Sequence, residues 1–326
     1  MDIREAFVFG AASLSLFIPC TARLLHEEST MMLVASGSSS KPLAWKVAQL
    51  LKAGYLDTEV TTFPDGEIYM RFLGEVTNQD VVLIQSLARK PNEYLVELFL
   101  MLDALKDLKA RRIIAVLPYL AYARQDERFK PGEAVSIQTI TRLIQAAGAD
   151  RIFTVDSHRH RVIDQGKLTT IPLVDLTAMG ELAKHVKATH NLRKAVVIGP
   201  DGEAEPWART AAEALGFEHD TLEKKRFDAE TVEVRPRTLD VKGRDVLIVD
   251  DIISTGNTII KAIEVLKRNG AKDILVACTH PILVLDALVR IYQAGARDVV
   301  GTDTVPSPIS LVTVAPVIAK AITQIP

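Results

Sequence analysis

Residues 246–256 read VLIVDDIISTG. Four apolar residues run into two adjacent carboxylates, Asp250 and Asp251, and a polar turn of Ser254, Thr255, Gly256, Asn257 and Thr258 follows. The apolar run fits a strand buried in a parallel sheet, and the periodic residues after the turn fit a helix beginning near Thr258. In open parallel sheets ligands bind outside the carboxyl ends of the strands, which is where this spacing puts the carboxylate pair. The turn presents backbone N–H groups at a helix N-terminus, where the peptide dipoles favour an anion. Gly256 lets the backbone come close to it. The two carboxylates would repel that anion, so they face something else: the vicinal hydroxyls of a sugar, or a divalent cation. The stretch reads as a receptor for a ribose 5-phosphate group.

Strand and helix patterns alternate along the rest of the chain. MMLVAS at 31–36 reads as a strand, followed by a helix with Leu43, Val47, Leu50 and Leu51 at helical spacing and a stop at Gly54. Two short strands flank the turn FPDGE at 63–67, a hairpin pattern. DVVLIQS at 80–86, the amphipathic helix 91–110, the strand RRIIAVLPYL, a helix with Ser136 as its N-cap and the strand RIFTVDSH at 151–158 complete the first half. The second half repeats the theme: helix near 178–189, strand 194–201, helix 205–215, the alternating ETVEVRP, the strand into Asp250, a helix, the strand DILVACTH, the helix ILVLDALVRIYQAGA and two closing segments. Strands that are apolar without alternation, each followed by a helix, belong to parallel sheets covered on both faces. The expected fold is α/β, with two doubly wound parallel-sheet domains. An N-terminal domain spans 31–175 and a C-terminal one 176–308, and the segment 309–326 is placed to pack back on the first. The recurrence of AGADRI…VDSH and NGAKDI…ACTH suggests one duplicated unit.

Composition narrows the class of function. With 326 residues the chain is long for a single core. A net charge of -2 advertises no field for a polyanion, so nucleic acid is not an expected partner. The two cysteines, Cys20 and Cys278, lie far apart without metal-like spacing, which fits a reducing compartment such as the cytoplasm. The apolar run at 6–22 is broken by Gly10 and Pro19, follows a flank without net positive charge and is short for a membrane span. It reads as an extension, or an upstream start, ahead of a domain beginning at Met31 or Met32, with no membrane partner.

VLIVDDIISTG resembles the phosphoribosyl diphosphate-binding loop shared by phosphoribosyltransferases and ribose-phosphate pyrophosphokinases, and the other motifs decide between the two. FPDGE resembles the nucleotide-binding turn of the pyrophosphokinases, and PYLAYARQD at 118–126 resembles their PYxxYARQD segment, with a KPGE continuation similar to archaeal-type members. VDSH at 155–158, GPDGE at 199–203, EKKR at 223–226 and CTHP at 278–281 follow in the family's order. The resemblance covers about 32–326 and implies domains of phosphoribosyltransferase type. It implies transfer of a diphosphoryl group from ATP to ribose 5-phosphate, giving phosphoribosyl pyrophosphate and AMP for nucleotide biosynthesis. Residue by residue it implies that Lys224 and Arg226 are catalytic, with Arg226 also on ribose 5-phosphate. Phe63, Asp65, Gly66, Glu67, Arg124 and Gln125 contact ATP. Asp250, Asp251, Ser254, Thr255, Gly256, Asn257 and Thr258 hold ribose 5-phosphate. His158 and Asp201 serve Mg2+, the natural counter-ion of a triphosphate. The FPDGE turn reaches the active site of a neighbouring subunit in the family, which implies a homo-oligomer, at least a dimer. Lys225 reads as a solvated charge and His160 has no matched role.

Three departures stand out. Ser157 occupies a position that is usually apolar, and Asn257 one that is usually glycine. PDGEAEPWA replaces the commoner Gly-rich or basic continuation after PD. Asn tolerates left-handed backbone, so the loop is expected to keep its shape.

Overall fold

The computed structural model describes residues 32–128, 130–157, 168–192, 194–226 and 232–325, with the side chains of 224–226 and 232–235 outside that description. Two sheets carry the architecture. The first has the order β2-β1-β5-β6-β7-β8, all parallel, from β1 (Met32–Ser36), β2 (Gly54–Leu56), β5 (Asp80–Ile84), β6 (Arg112–Leu117), β7 (Arg151–Val155) and β8 (Leu173–Leu176). Its helices are α1 (Lys41–Leu51), α2 (Pro91–Asp107) and α3 (Ser136–Ala147). A separate antiparallel hairpin, β3 (Thr58–Thr62) and β4 (Ile68–Phe72), projects the turn 63–67.

The second sheet has the order β11-β10-β9-β12-β13-β14-β15. It comprises β9 (Val196–Gly199), β10 (Glu218–Arg226), β11 (Val232–Pro236), β12 (Val246–Ile253), β13 (Ile274–Pro281), β14 (Asp298–Thr302) and β15 (Ser310–Val312). All neighbours are parallel except β10 and β11. The helices here are α4 (Met179–Thr189), α5 (Glu205–Leu215), α6 (Asn257–Arg268) and α7 (Ala287–Ala294). The chain closes with α8 (Ala315–Thr323).

The apolar runs are explained by double burial. In β5, Val81 and Leu83 enter the core shared with α2 and α3, whereas Val82 and Ile84 enter the core shared with α1 and α8. In β12, Val246 and Ile248 pack with α6, and Leu247 and Val249 with α4 and α5. Successive strand side chains point to opposite faces, so a strand buried on both must be apolar throughout. The last helix, α8, does not join the second sheet: Ala315, Ile318 and Ile322 pack among Val34, Leu43, Val47 and Val82 of the first. Ile318 is fully buried there. Ile318→Ala should destabilise the protein by about 2–5 kcal/mol, read from urea unfolding.

Three local expectations are corrected. Ser136 is the first residue of α3 and makes no capping hydrogen bond; the cap position belongs to Val135. The left-handed residue of the 254–258 turn is Gly256, at φ 76, while Asn257 is already helical. The helix expected from ILVLDALVR starts only at Ala287, because Leu283, Leu285 and Asp286 adopt positive φ and leave the helical path.

The candidate active site

β12 delivers Asp250 and Asp251 to the carboxyl edge of the second sheet, with Asp250 beside Cys278 of β13. Asp250 is half-buried and Asp251 is buried. The Asp250 Oδ1 accepts the Asp251 N–H at 3.0 Å. Burial pushes the Asp250 carboxyl well above its usual range, and repulsion from Asp251 and Asp201 adds to it. The same pair, after burial, holds the Cys278 thiol well above its ordinary value, so that thiol is a packing group rather than a nucleophile.

A cavity of about 290 Å³ opens in front of this pair. Residues 250–259 form one wall, which brings Asp250, Asp251, Ser254, Thr255, Gly256, Asn257 and Thr258 together at one cavity. Arg124, Asp201, Glu203, Ala204 and Trp207 form the rest. The left-handed Gly256 turns the chain into α6, whose first N–H groups have no intrahelical partner and face the cavity end of the helix. A Cβ at Gly256 would lie 3.1 Å from Ile291, so glycine answers both the φ and the close packing. Asp201 follows β9, and its Oδ1 caps the short 3₁₀ turn Gly202–Ala204 by accepting the Glu203 N–H at 3.0 Å.

Arg124 is the cavity's one cation among the described residues, against four carboxylates. It reaches over from the first sheet's side and bonds the half-buried Tyr119, whose phenol is raised by burial, with Arg124 opposing the rise and Asp251 adding to it. Tyr119 in turn stands edge-on to His280, with ring centroids 5.0 Å apart.

A buried polar seam joins the carboxyl edges of the two sheets. His280 Nε2 meets the carbonyl oxygens of Val155 at 2.9 Å and Asp156 at 3.2 Å, so Nε2 carries the ring proton. Burial lowers this imidazole's pKa, which keeps it neutral. The Asp156 Oδ2 accepts the Thr279 hydroxyl at 2.6 Å and the Ala178 N–H at 2.9 Å. Burial raises Asp156 to about 7. Ser86 donates to the Thr304 carbonyl at 2.6 Å. Ser157, the departure noted above, is buried beside this seam, its N–H donating to Asp175 at 3.1 Å.

Other expected site residues lie elsewhere. His158 falls outside the described residues. Lys224 and Arg226 belong to β10, but their side chains are outside the description. Gln125 follows Arg124 without lining the cavity. Phe63, Asp65, Gly66 and Glu67 form the exposed hairpin tip, closed by Phe63 N–H to Glu67 O at 2.8 Å and by Gly66 at φ 97, and none of them lines the cavity. Sequence reasoning missed Glu203, Trp207 and Tyr119. The first two sit in the PDGEAEPWA stretch flagged only as a departure; Tyr119 was visible within PYLAYARQD but received no role.

A doubly wound pair of sheets with a carboxylate pair and an anion nest at one carboxyl edge defines a phosphoribosyltransferase-type protein. A family model described as the phosphoribosyl transferase domain matches residues 165–292, and one described as the N-terminal domain of ribose phosphate pyrophosphokinase matches 32–148. The chain is 44% identical over 282 residues to a ribose-phosphate pyrophosphokinase of Methanothermobacter thermautotrophicus, covering 86% of this chain and 96% of that one. It is 37% identical over 316 residues to the Corynebacterium glutamicum ribose-phosphate pyrophosphokinase, covering 94% and 95%. Phosphoribosylpyrophosphate synthetase from Mycobacterium smegmatis superimposes with a TM-score of 0.80 at 32% identity, over 90% of this chain and 98% of that one. The chain belongs to the ribose-phosphate pyrophosphokinase family.

Proposed function

We propose that this chain transfers the β,γ-diphosphoryl group of ATP to the 1-hydroxyl of ribose 5-phosphate, giving 5-phosphoribosyl 1-diphosphate and AMP for nucleotide biosynthesis. The observation that carries this reading is the single cavity wall formed by Asp250 through Thr258, a carboxylate pair followed by a helix-terminal nest. The sugar O1 attacks the β-phosphorus, the bond from that phosphorus to the α,β-bridging oxygen breaks, and the hydroxyl proton leaves to solvent or a nearby base. Asp250 and Asp251 accept the ribose hydroxyls and fix the O1 trajectory, which is worth more than affinity alone because alignment lowers the barrier. Ser254, Thr255, Gly256, Asn257 and Thr258 take the 5-phosphate. Arg124, at the cavity rim, contacts the ATP phosphates, with Gln125 beside it.

The described oxygen donors fit Mg2+, a hard ion that uses one or two carboxylates and takes its other ligands from phosphates and waters. Among the described residues no three metal-ligating side chains are arranged to hold an ion, so the protein offers a partial shell. Asp201, at the cavity, would hold the ion, together with His158. Bound there, Mg2+ supplies neutralisation of the β- and γ-phosphate charge. Phe63, Asp65, Gly66 and Glu67 contribute adenine and ribose contacts to a neighbouring subunit's cavity, which makes the working unit a homo-oligomer, at least a dimer. No helix among the described residues is long and apolar enough to cross a membrane. We place the activity in the cytoplasm, where ATP and a reduced Cys278 coexist.

The test is an assay for AMP with ATP, ribose 5-phosphate and Mg2+, omitting each in turn. AMP should form only with all three. Pyrophosphate released from phosphoribosyl pyrophosphate and a nucleobase, without AMP from ATP, would instead place the chain with the transferases.

A further inference from the structure

The sugar-phosphate turn is held from outside by a second segment, residues 283–291. The N–H of Leu283 donates to the Ile253 carbonyl and that of Val284 to the Ser254 carbonyl, each at 3.0 Å. The Arg290 guanidinium donates to Asn257 Oδ1 at 2.8 Å and to the Thr255 carbonyl at 3.4 Å. Gly256 rests against Ile291 and Ala287. This brace is strained: Leu283, Leu285 and Asp286 have φ of 52, 52 and 53. Left-handed backbone at such residues costs about 1–2 kcal/mol apiece and persists where the surroundings require it. Leu285 is 77% exposed, so its conformation does not serve core packing.

Asn257 gives the brace a chemical purpose. It is the first residue of α6, directly at the nest, and it carries an amide where a glycine would carry nothing. Asn side chains readily form local bonds to nearby backbone N–H groups, the kind of group a 5-phosphate needs. The Arg290 guanidinium engages that amide oxygen and draws the side chain toward α7.

We propose that Arg290 is a positioning residue that holds the Asn257 amide away from the anion nest, keeping the nest open for the 5-phosphate. The inference rests on the reading of residues 254–258 as a sugar-phosphate site.

A double-mutant cycle on the full chain tests it, with ribose 5-phosphate binding measured by calorimetry in the absence of ATP. Arg290→Ala should weaken ribose 5-phosphate binding about tenfold. The KM for ATP should be unaltered. Made in an Asn257→Gly background, the same substitution should cost about twofold or less, because no amide remains to be restrained. Equal losses in both backgrounds would overturn the proposal, since Arg290 would then act only through its charge or through the fold. So would an unchanged affinity in Arg290→Ala. Thermal midpoints of the four proteins separate loss of fold from loss of binding. If the native chain binds ribose 5-phosphate but forms no AMP, the proposed reaction fails and the cycle still decides the role of Arg290. If it does not bind ribose 5-phosphate, both fail.

Discussion

Lys224→Ala should lower kcat for AMP formation by about a thousandfold, with the thermal midpoint and the far-ultraviolet dichroism unaltered. The expectation comes from a charge deficit that the cavity itself makes plain. Among the described residues it presents Arg124 against Asp201, Glu203, Asp250 and Asp251. A triphosphate and a sugar phosphate entering such a site bring more negative charge, and the transferring group concentrates it at the moment of transfer. Cations must arrive from elsewhere, and the expectation for Lys224 is that its ribbon brings one. β10 pairs with β9 only from Glu218 to Thr221, opposite Val196 to Gly199. From Leu222 to Arg226 it pairs only with β11, so a two-stranded ribbon leaves the sheet at the same edge as Asp201. At about 3.3 Å per residue, the backbone of Lys224 stands about 10 Å beyond Thr221 along this ribbon. Charge stabilisation applied in the transition state appears in kcat rather than KM. A purified Lys224→Ala enzyme with a near-native kcat would remove Lys224 from the reaction.

Asp250→Asn should act in two opposite directions. Ribose 5-phosphate utilisation, as kcat/KM, should fall about a hundredfold, since a hydroxyl bonded to a carboxylate loses a charge-assisted bond and its alignment. The ligand-free protein should become more stable at neutral pH, with a thermal midpoint higher by about 1–2 °C. The sign follows from the raised folded-state pKa of Asp250, caused by burial and by Asp251 and Asp201. An acid whose pKa is raised on folding binds more protons folded than unfolded. Its penalty is absent below the unfolded value and grows as pH rises toward and through the folded one. Asparagine carries no such penalty, so the gain over the native protein should widen from acid to neutral pH. Calorimetric scans across that range, alongside kinetics, check both halves; a variant destabilised at neutral pH would show that the carboxylate supports the fold rather than straining it.

Much of this was legible in the sequence because the relevant signals are local. The two-faced burial of β5 and β12 requires unbroken apolar runs, and those runs named the strands. The wall 250–259 was legible because strand, carboxylates, turn and helix are contiguous. What stayed hidden depends on distant partners. Tyr119 gains meaning only from Arg124, Asp251 and His280 around it. The strained segment 283–286 read as helix, since its leucines and Asp286 suit one; its bonds to Ile253 and Ser254, thirty residues upstream where β12 ends and the turn begins, pull it out. Ser136 made a plausible cap by type, but the cap position falls one residue earlier.

The return of α8 to the first sheet has a consequence for how the protein is made. Ile318 and Ile322 complete the packing layer over β1, β5 and α1, yet they are made only after the whole second sheet. A chain emerging from its N-terminus can pair β1 with β5 early but cannot close that face until α8 has been made. During translation the groove between α1 and the sheet remains an exposed apolar surface while the whole second sheet is being made. Termination between β15 and α8 would therefore release a chain with an intact 250–259 wall and an uncovered N-terminal half, a substrate for quality control rather than for catalysis.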